Sequence, residues 1–495
     1  MTESAALPLN ESAGVMSTST VVAPSRTAPR IDDVPSERRS WWILALIGLA
    51  QFMVILDVTV VNVALPSIGT ALSFAATDLQ WVVTVYVLFT GGLMLLGGRA
   101  TDMLGRRRVF LVGLLVFTAA SLASGLAWSP AALIVARAAQ GFGAALLLPS
   151  ALAIITTTYG GAQRTVALSI WGAIGSAGVA GGVLFGGVIT TLLGWEWIFY
   201  INVPVGFVVA AGAVRLLPAV QALAPARVKL DLLGAATVMV GLVTLVYAVV
   251  GTAQYGWGSG RTLLLLAIAV ALLAAFIGIE LRGREPLVPP ATWRVRSLVS
   301  SAVVMLGATG ILVGAFYLNT LYLQNVLGHS ALKTGLSFLP LALVIFAAAH
   351  LGSHLLPHAG SRVVALGGLA LMAIGALLLA AAPDRASYST DLLPGFLLLG
   401  AGVGLVFVAV TVTAMADVRH EQAGLASGMM TTAHELGAAF GVAVLAAVAT
   451  ANSNPVSGYG TGFLVAAAVA AVLAVVAVVA LPSFRPVPGT QASMH

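Results

Sequence analysis

The amino-acid sequence predicts an all-α polytopic membrane protein with fourteen transmembrane helices. Of its 495 residues, 59% are apolar and only 8% are charged, and the apolar residues form long blocks instead of alternating. So few charges exclude a water-soluble surface. Blocks of about twenty residues match a helix that crosses roughly 30 Å of hydrocarbon. Blocks of this length favour helices over the short alternating strands of a membrane barrel.

Loops that carry charges, proline or glycine separate the blocks and set the predicted boundaries of each span. The predicted spans are 41-65, 79-98, 109-127, 131-156, 165-190, 195-216, 230-251, 262-281, 298-325, 333-353, 361-381, 391-415, 421-449 and 460-481.

The basic residues lie mainly on one side of these spans. Nineteen of the 23 Lys and Arg residues fall on the side of the N-terminus, and Arg137 lies within a span. The opposite loops hold only Arg261, Lys333 and Arg385. The positive-inside rule therefore predicts that both termini are cytoplasmic.

The two longest connections on the basic side bracket one isolated hairpin of two spans. We therefore expect two six-helix bundles around a central pathway with an inserted hairpin. The predicted parts are a disordered tail (1-40), an N-terminal bundle (41-217), linker loops with the hairpin (218-297), a C-terminal bundle (298-482) and a second tail (483-495).

The composition also indicates which cofactors and partners the protein is not expected to bind. The absence of cysteine excludes a disulfide framework and a thiolate metal site. His350 and His354 have the i, i+4 spacing of a metal pair, but no nearby cysteine or carboxylate completes a site, so we expect no metal and no cofactor. The net charge of +6 comes from scattered basic residues, so no nucleic-acid partner is expected.

The segment after span two carries one acid among four bases. Its glycines, Gly98 and Gly105, suit a tight turn, and Asp102 can pair with a base or with a helix N-terminus. Together with Arg106 and Arg107 these residues can form a latch that holds one face of a bundle closed. An ordinary basic loop is the alternative.

This segment resembles the signature G-x-L-x-D-r-x-G-r-[rk] of the major facilitator superfamily, from which Ala100 and Met103 depart. Span four contains Arg137-Ala-Ala-Gln140-Gly141, similar to the R-x-x-Q-G motif of the superfamily. Span one contains Leu56-Asp57-Val-Thr59-Val-Val-Asn62-Val-Ala-Leu-Pro66, which resembles the first helix of its fourteen-helix drug:proton antiporters. The resemblance extends over residues 41 to 482 and includes Trp195-Glu-Trp-Ile-Phe-Tyr-Ile-Asn-Val-Pro204.

Span five resembles the antiporter motif that ends in G-P-x-x-G-G, with Val183 where the proline would stand. Gly178, Gly182 and Gly186 recur every four residues, with Gly187 adjacent, and therefore form a bare stripe for close helix contact. A generic packing seam explains these glycines equally well.

Three ionisable residues lie inside predicted spans, where charge is costly enough to mark function: Asp57, Arg137 and Glu435. Counting about 1.5 Å of helix rise per residue puts Asp57 and Arg137 at matching depths. They can therefore form a switchable proton site or a static structural pair. Glu435 falls near the midplane of its span. It can be a second proton carrier, a counter-ion for a cationic substrate or a permanently protonated acid. We expect the adjacent His434 to point away from it and pack between helices.

Candidates for substrate contact are aromatic and amide side chains in the outer half of span nine, with three residues of spans two and four. Aromatic faces and amides suit large amphipathic ligands, including cations. An interfacial aromatic belt is the alternative for some of them. They are Phe316, Tyr317, Asn319, Tyr322, Gln324, Trp81, Tyr86 and Gln140.

The resemblance implies a proton-coupled exporter of drugs, antibiotics or other lipophilic or cationic small molecules in a bacterial inner membrane, working as a monomer by alternating access. Export of an endogenous metabolite, lipid or siderophore stays open. An enzyme or sensor is disfavoured because the short loops hold no Ser/His/Asp constellation, and a passive channel because pore charges are sparse. The sequence contains no G-x-x-x-x-G-K-[ST] loop for ATP.

Overall fold

The computed structural model describes residues 37–217, 231–283, 288–383, 386–418 and 423–485. Within these ranges the chain is helical, without a strand, and fourteen spans are long and apolar enough to cross a membrane. The predicted fold class is therefore confirmed. Most of the predicted tails 1-40 and 483-495 lies outside the described residues.

Among the described residues, fifteen α-helices make up the fourteen spans, because span six is divided into a short α6 and a longer α7. A π-helical turn, Tyr322–Val326, continues α10, and a second one, Tyr388–Leu392, precedes α13. The helices are α1 (Glu37–Ala71), α2 (Trp81–Leu104), α3 (Arg106–Gly125), α4 (Pro130–Thr158), α5 (Gly161–Leu192), α6 (Trp197–Tyr200), α7 (Asn202–Leu216), α8 (Leu232–Tyr255), α9 (Gly260–Arg282), α10 (Arg296–Leu321), α11 (Ala331–Ala359), α12 (Ser361–Ala380), α13 (Leu393–Ala416), α14 (Ala423–Thr450) and α15 (Pro455–Ala480).

Several helices continue beyond their predicted ends, and α1 and α2 are two examples. Helix α1 runs through Pro66 to Ala71, and α2 runs past Gly98 to Leu104. The hydropathy pattern stops at the first polar residues, whereas backbone hydrogen bonding continues, since a proline removes only one N–H from the ladder.

An even number of spans returns the chain to the end at which it starts. We call the end with Glu37 and Arg485 the terminal end, and the end at which α1 finishes with Ala71 the far end.

The helices pack in two groups with a hairpin beside them. Helices α1 to α7 pack on one another, as do α10 to α15, while α8 packs on α9 and also contacts α2 and α14. The groups meet where α2 contacts α14, α5 contacts α11 and α1 contacts α10. The domain boundaries proposed from the sequence stay a prediction.

At the far end the two groups are in close contact. The Gln324 side chain of the π turn after α10 donates through Nε2 to the backbone oxygen of Val63 in α1, at 2.8 Å. A Cβ added at Gly335 of α11 would lie only 2.5 Å from the backbone oxygen of Val183 in α5. Val60 of α1 belongs to the same apolar core as α10 to α15. The far ends of the groups therefore share one core.

At the terminal end, arginines bind the carbonyl groups at helix C-termini. Arg107 donates to Val214 O at the end of α7, at 2.6 Å. Arg296 and Arg362, in the first turns of α10 and α12, donate to the last carbonyls of α15 and to Leu481 O. Carbonyls at a helix C-terminus lack intrahelical partners and carry partial negative charge, so these arginines stabilise the helix ends.

The predicted glycine stripe of α5 packs against α1, the helix that carries Asp57. A Cβ added at Gly182 would lie 1.7 Å from the Thr59 hydroxyl oxygen, and one added at Gly186 would lie 3.0 Å from Val60 Cα. Gly178 faces Ile55 in the same way, whereas Gly187 faces α11. Helix α5 continues without interruption through Val183.

We expect Gly182→Ala to destabilise the protein by about 1–3 kcal/mol, because the new methyl group cannot fit against Thr59 unless the two helices separate. The measurement is thermal unfolding of the purified protein. Gly172→Ala in the same helix is the control, since a Cβ there has no atom within 4 Å. Equal unfolding temperatures for the two variants would contradict close packing at Gly182.

Candidate functional site

A buried ion pair lies between α1 and α4. The side chains of Asp57 and Arg137 are 0% and 1% exposed, and Arg137 Nη1 donates to Asp57 Oδ2 at 2.5 Å. The prediction that these residues approach one another is confirmed. Their matching depths could be predicted because both residues lie in regular helices, in which each residue rises by a fixed distance.

The glycine stripe holds the turn of α1 that carries Asp57. Gly182 lies next to Leu56 O and Thr59, the positions on either side of this turn. The Thr59 hydroxyl donates to the Ile55 and Leu56 carbonyls of its own helix. With α5 so close on one side, Asp57 lies on the side of α1 that faces α4 and α7.

Gln140, one turn after Arg137 in α4, completes the pair. Its Oε1 accepts from Arg137 Nη1 at 2.7 Å, and its Nε2 donates to Asp57 Oδ1 at 2.8 Å. The same Nε2 donates to the Ser121 hydroxyl oxygen of α3, at 2.8 Å. Gln140 is fully buried, and both ends of its amide are bound, so it supports the ion pair. Its role as a substrate contact stays a prediction.

The structure adds Asn202, the first residue of α7, to this site. Its Nδ2 donates to Asp57 Oδ1 at 2.9 Å and to the Ser121 oxygen at 3.4 Å. The segment Trp195 to Pro204 carries part of the family resemblance, but its sequence pattern does not indicate that Asn202 contacts Asp57. A neutral amide raises no charge signal, so sequence reasoning missed it.

The rest of the Arg137 side chain is held by α2 and α6. Its Nε donates to Val82 O at 3.0 Å. Its guanidinium carbon lies 4.2 Å from the ring centre of Tyr86 and 5.7 Å from that of Phe199. A guanidinium over an aromatic face gains electrostatic stabilisation when water is excluded. Tyr86 therefore contacts the arginine directly.

The Asp57 carboxylate accepts every hydrogen bond described to it, and all of them come from N–H groups. An ionised carboxylate accepts hydrogen bonds only, so this arrangement suits the ionised form. Adding a proton to Asp57 would remove the attraction to Arg137 and require a hydrogen-bond acceptor. The site can therefore couple the protonation of Asp57 to the packing of α1, α3, α4 and α7, whose side chains this hydrogen-bond network joins.

Glu435 lies apart from this pair. It is not among the described hydrogen-bond partners of Asp57 or Arg137, and it packs where α14 crosses α2 at Gly91. His434 Nδ1 is 3.6 Å from Glu435 Oε1, and its ring lies 5.8 Å from that of Phe407. The expectation that His434 points away from Glu435 is therefore wrong, because flexible side chains on successive residues can turn towards one another.

The segment predicted as a loop latch is mostly helical. Gly98 lies inside α2, and only Gly105, with φ of 91°, forms the turn into α3. Asp102 is exposed in the electrostatic field of Arg99 and Arg106. Arg107 binds the end of α7, within its own helix group. The prediction of a glycine turn is thus right for Gly105 and wrong for Gly98.

Three predicted substrate residues make structural contacts near the far end. Tyr322 donates to Pro383 O at 2.6 Å, and Gln324 binds Val63 O as described above. Trp81 packs against Tyr247 of the hairpin, with ring centres 6.3 Å apart. These contacts hold helices together.

The other candidates in α10 are buried. Phe316 packs on Phe338 of α11, with ring centres 4.0 Å apart. Tyr317 and Asn319 are almost completely buried, and within the described part of the chain the Tyr317 hydroxyl and Asn319 Oδ1 have no hydrogen-bond partner. A buried polar atom without a partner is costly. A ligand that supplied such a partner would therefore gain affinity at these two positions.

A shallow cavity of about 510 Å³ opens at the far end between α1 and the turn from α10 to α11. His329 lines it, and burial, together with the positive charge of Lys333, lowers the pKa of this histidine. At the other end of α11, the Nε2 atoms of His350 and His354 are 3.2 Å apart. Among the described residues no group of three or more potential metal ligands occurs.

Comparison with known proteins matches residues 47–442 to the model of the Major Facilitator Superfamily. The chain belongs to this superfamily of membrane transporters. It is 41% identical to the puromycin resistance protein of Streptomyces alboniger over 85% of this chain and 86% of that protein. It is 40% identical to the cephamycin export protein of Amycolatopsis lactamdurans over 82% of this chain and 84% of that protein.

A solved structure has the same fold. The crystal structure of the human organic anion transporter MFSD10 aligns with 90% of this chain and 100% of its own, with a TM-score of 0.61 and 17% identity. The superfamily expected from the motifs is confirmed.

We expect Arg137→Met to destabilise the protein by about 3 kcal/mol, because the Asp57 charge is then buried without its partner. The double variant Asp57→Asn/Arg137→Met should recover more than half of this loss. The measurement is thermal unfolding of the two single variants and the double variant, treated as a double-mutant cycle. Additive effects would show that the two side chains do not interact.

Proposed function

We propose that this protein exports amphipathic small molecules of the antibiotic class in exchange for protons, by alternating access. The observation that carries this proposal is the buried Asp57–Arg137 pair with its amide partners. An ionisable residue inside a membrane segment is costly, and it persists where it serves transport of ions or protons.

The pair gives proton exchange a physical basis. When Asp57 binds a proton, Arg137 loses its counter-charge, and the contacts that join α1 to α4 weaken. Release of the proton restores them. Protonation thus changes the relative stability of two arrangements of the helices, as coupling requires.

Three features support an amphipathic substrate. The relatives described above are named for resistance to puromycin and for export of cephamycin. Tyr317 and Asn319 offer unpartnered polar atoms in apolar surroundings, and the Tyr86 ring lies beside the ion pair. Apolar walls with few convergent polar groups are typical of small-molecule sites.

The two helix groups supply the moving parts. Their far ends are joined by the contact of Gln324 with Val63 and by the close packing of Gly335 on α5. We infer that opening this end requires breaking both contacts. A proton-motive force of about 150 mV provides roughly 3.5 kcal/mol per proton, enough for a gradient on the order of 300-fold.

The proposal also includes the orientation of the protein, its oligomeric state and the roles of two further acidic residues. We infer that both termini are cytoplasmic in a bacterial inner membrane, that the chain works as a monomer without catalysis, and that Asp102 with its basic neighbours helps to close the terminal end. Glu435, partly accessible beside His434, is a second proton carrier or a counter-ion for cationic substrates.

Proton-driven efflux tests the central claim. In everted vesicles, we expect Asp57→Asn to reduce puromycin or dye transport at least 100-fold, because the asparagine cannot exchange a proton. The measurement is substrate uptake driven by an imposed proton gradient, with the protein quantified in the same membranes.

Asn62→Leu in the same helix is the matched control, since the hydrogen bond described for the Asn62 side chain is to Val58 of its own helix. Transport that persists in Asp57→Asn, or that an uncoupler leaves unchanged, would exclude Asp57-dependent antiport.

Membrane orientation has its own test, since the chain contains no cysteine and single cysteines can be introduced directly. We expect Gly258→Cys, at the far end, to react with an impermeant maleimide on intact cells. Asp417→Cys, at the terminal end, should react only after lysis. The opposite labelling pattern would reverse the proposed orientation.

A further inference from the structure

Asn202 binds the ion pair, yet the proton exchange proposed above gives it no role of its own when Asp57 is protonated. The amide is 1% exposed at the start of α7. Its Nδ2 donates to Asp57 Oδ1 at 2.9 Å and to the Ser121 oxygen at 3.4 Å. It is therefore one of two amides that bind the same carboxylate oxygen, the other being Gln140.

The two amides differ in their freedom to turn. Gln140 Oε1 accepts from the guanidinium of Arg137, so turning this amide would point its NH₂ group at a cation. The contacts described for Asn202 are with Asp57 and Ser121. A hydroxyl group can either donate or accept. The Ser121 hydroxyl donates to Phe117 O at 2.8 Å while it accepts from Asn202, and by rotating it can donate to the turned amide instead.

Protonation of Asp57 creates a need for an acceptor. Oδ2 faces the Arg137 guanidinium, which only donates, so a proton added to the carboxyl group belongs on Oδ1. There it meets the amide groups of Gln140 and Asn202, both of which donate in the ionised state. Turning one of these amides by half a turn replaces its donor with a carbonyl oxygen.

In the described part of the chain, the charged and titratable groups around this carboxyl group are Arg137 from α4 and Tyr86 from α2. Tyr86 interacts electrostatically with both Asp57 and Glu435. Helices α3 and α7 contribute the neutral side chains of Ser121 and Asn202. The guanidinium cannot accept a hydrogen bond. Asn202 is the group beside Oδ1 that can change from donor to acceptor at the least cost.

We propose that Asn202 is a positioning residue that serves both protonation states of Asp57. Its NH₂ group donates to the ionised carboxylate, and after half a turn its carbonyl oxygen accepts from the protonated acid. The carboxyl group gains one proton on Oδ1, and no other covalent bond changes. The inference rests on the proposed role of Asp57 as the proton carrier.

Infrared difference spectroscopy of the whole protein tests it. The C=O stretching band of protonated Asp57 is the acid band that Asp57→Asn removes. In Asn202→Leu we expect this band to move to higher frequency, because the acid has lost its acceptor. Its pH midpoint should rise, with proton affinity increased roughly fivefold, because the bond lost by the ionised form is the stronger one.

Asn202→Ala removes the same hydrogen bonds with a smaller side chain, so it replaces the leucine variant if that variant does not fold. Asn62→Leu is the matched control and should leave both frequency and midpoint unchanged. A midpoint shift without a frequency shift would overturn the acceptor role, and an unchanged spectrum in both Asn202 variants would overturn the whole inference. If no acid band depends on Asp57, the proposed function itself fails.

Discussion

A carboxylate in the centre of a membrane protein must be neutralised, and this requirement organises the first half of the molecule. Placing an isolated ion in a low-dielectric interior costs several kcal/mol even after the surroundings relax. Here the charge of Asp57 is balanced by Arg137, and its remaining acceptor sites are filled by two amides. Three helices, α1, α4 and α7, therefore meet at one side chain.

Close packing elsewhere makes this convergence geometrically possible. The glycine stripe of α5 brings the backbones of α1 and α5 together on the side of α1 opposite to the ion pair. Without side chains on that stripe, α1 can approach α5 while its other side still reaches α4 and α7. The motif read from the sequence as a packing seam thus supports the buried charge indirectly.

The sequence predicts the number of spans well because each crossing needs a long apolar block, which is visible without knowledge of packing. It predicts helix ends less well, since Ala71 and Leu104 lie beyond the apolar blocks. Asp57 and Arg137 could be paired because helix rise fixes depth. The contacts of Gln140 and Gln324 could not be predicted, because depth alone does not determine which neighbour a side chain faces.

The arginines at the terminal end also constrain the order of assembly. Arg296 and Arg362 bind carbonyl groups of residues 479 to 481, at the end of α15. These carbonyls are synthesised more than a hundred residues after either arginine. Until then the first turns of α10 and α12 lack these acceptors. Helix α15 can therefore fix the first turns of α10 and α12 only after residues 479 to 481 have been synthesised.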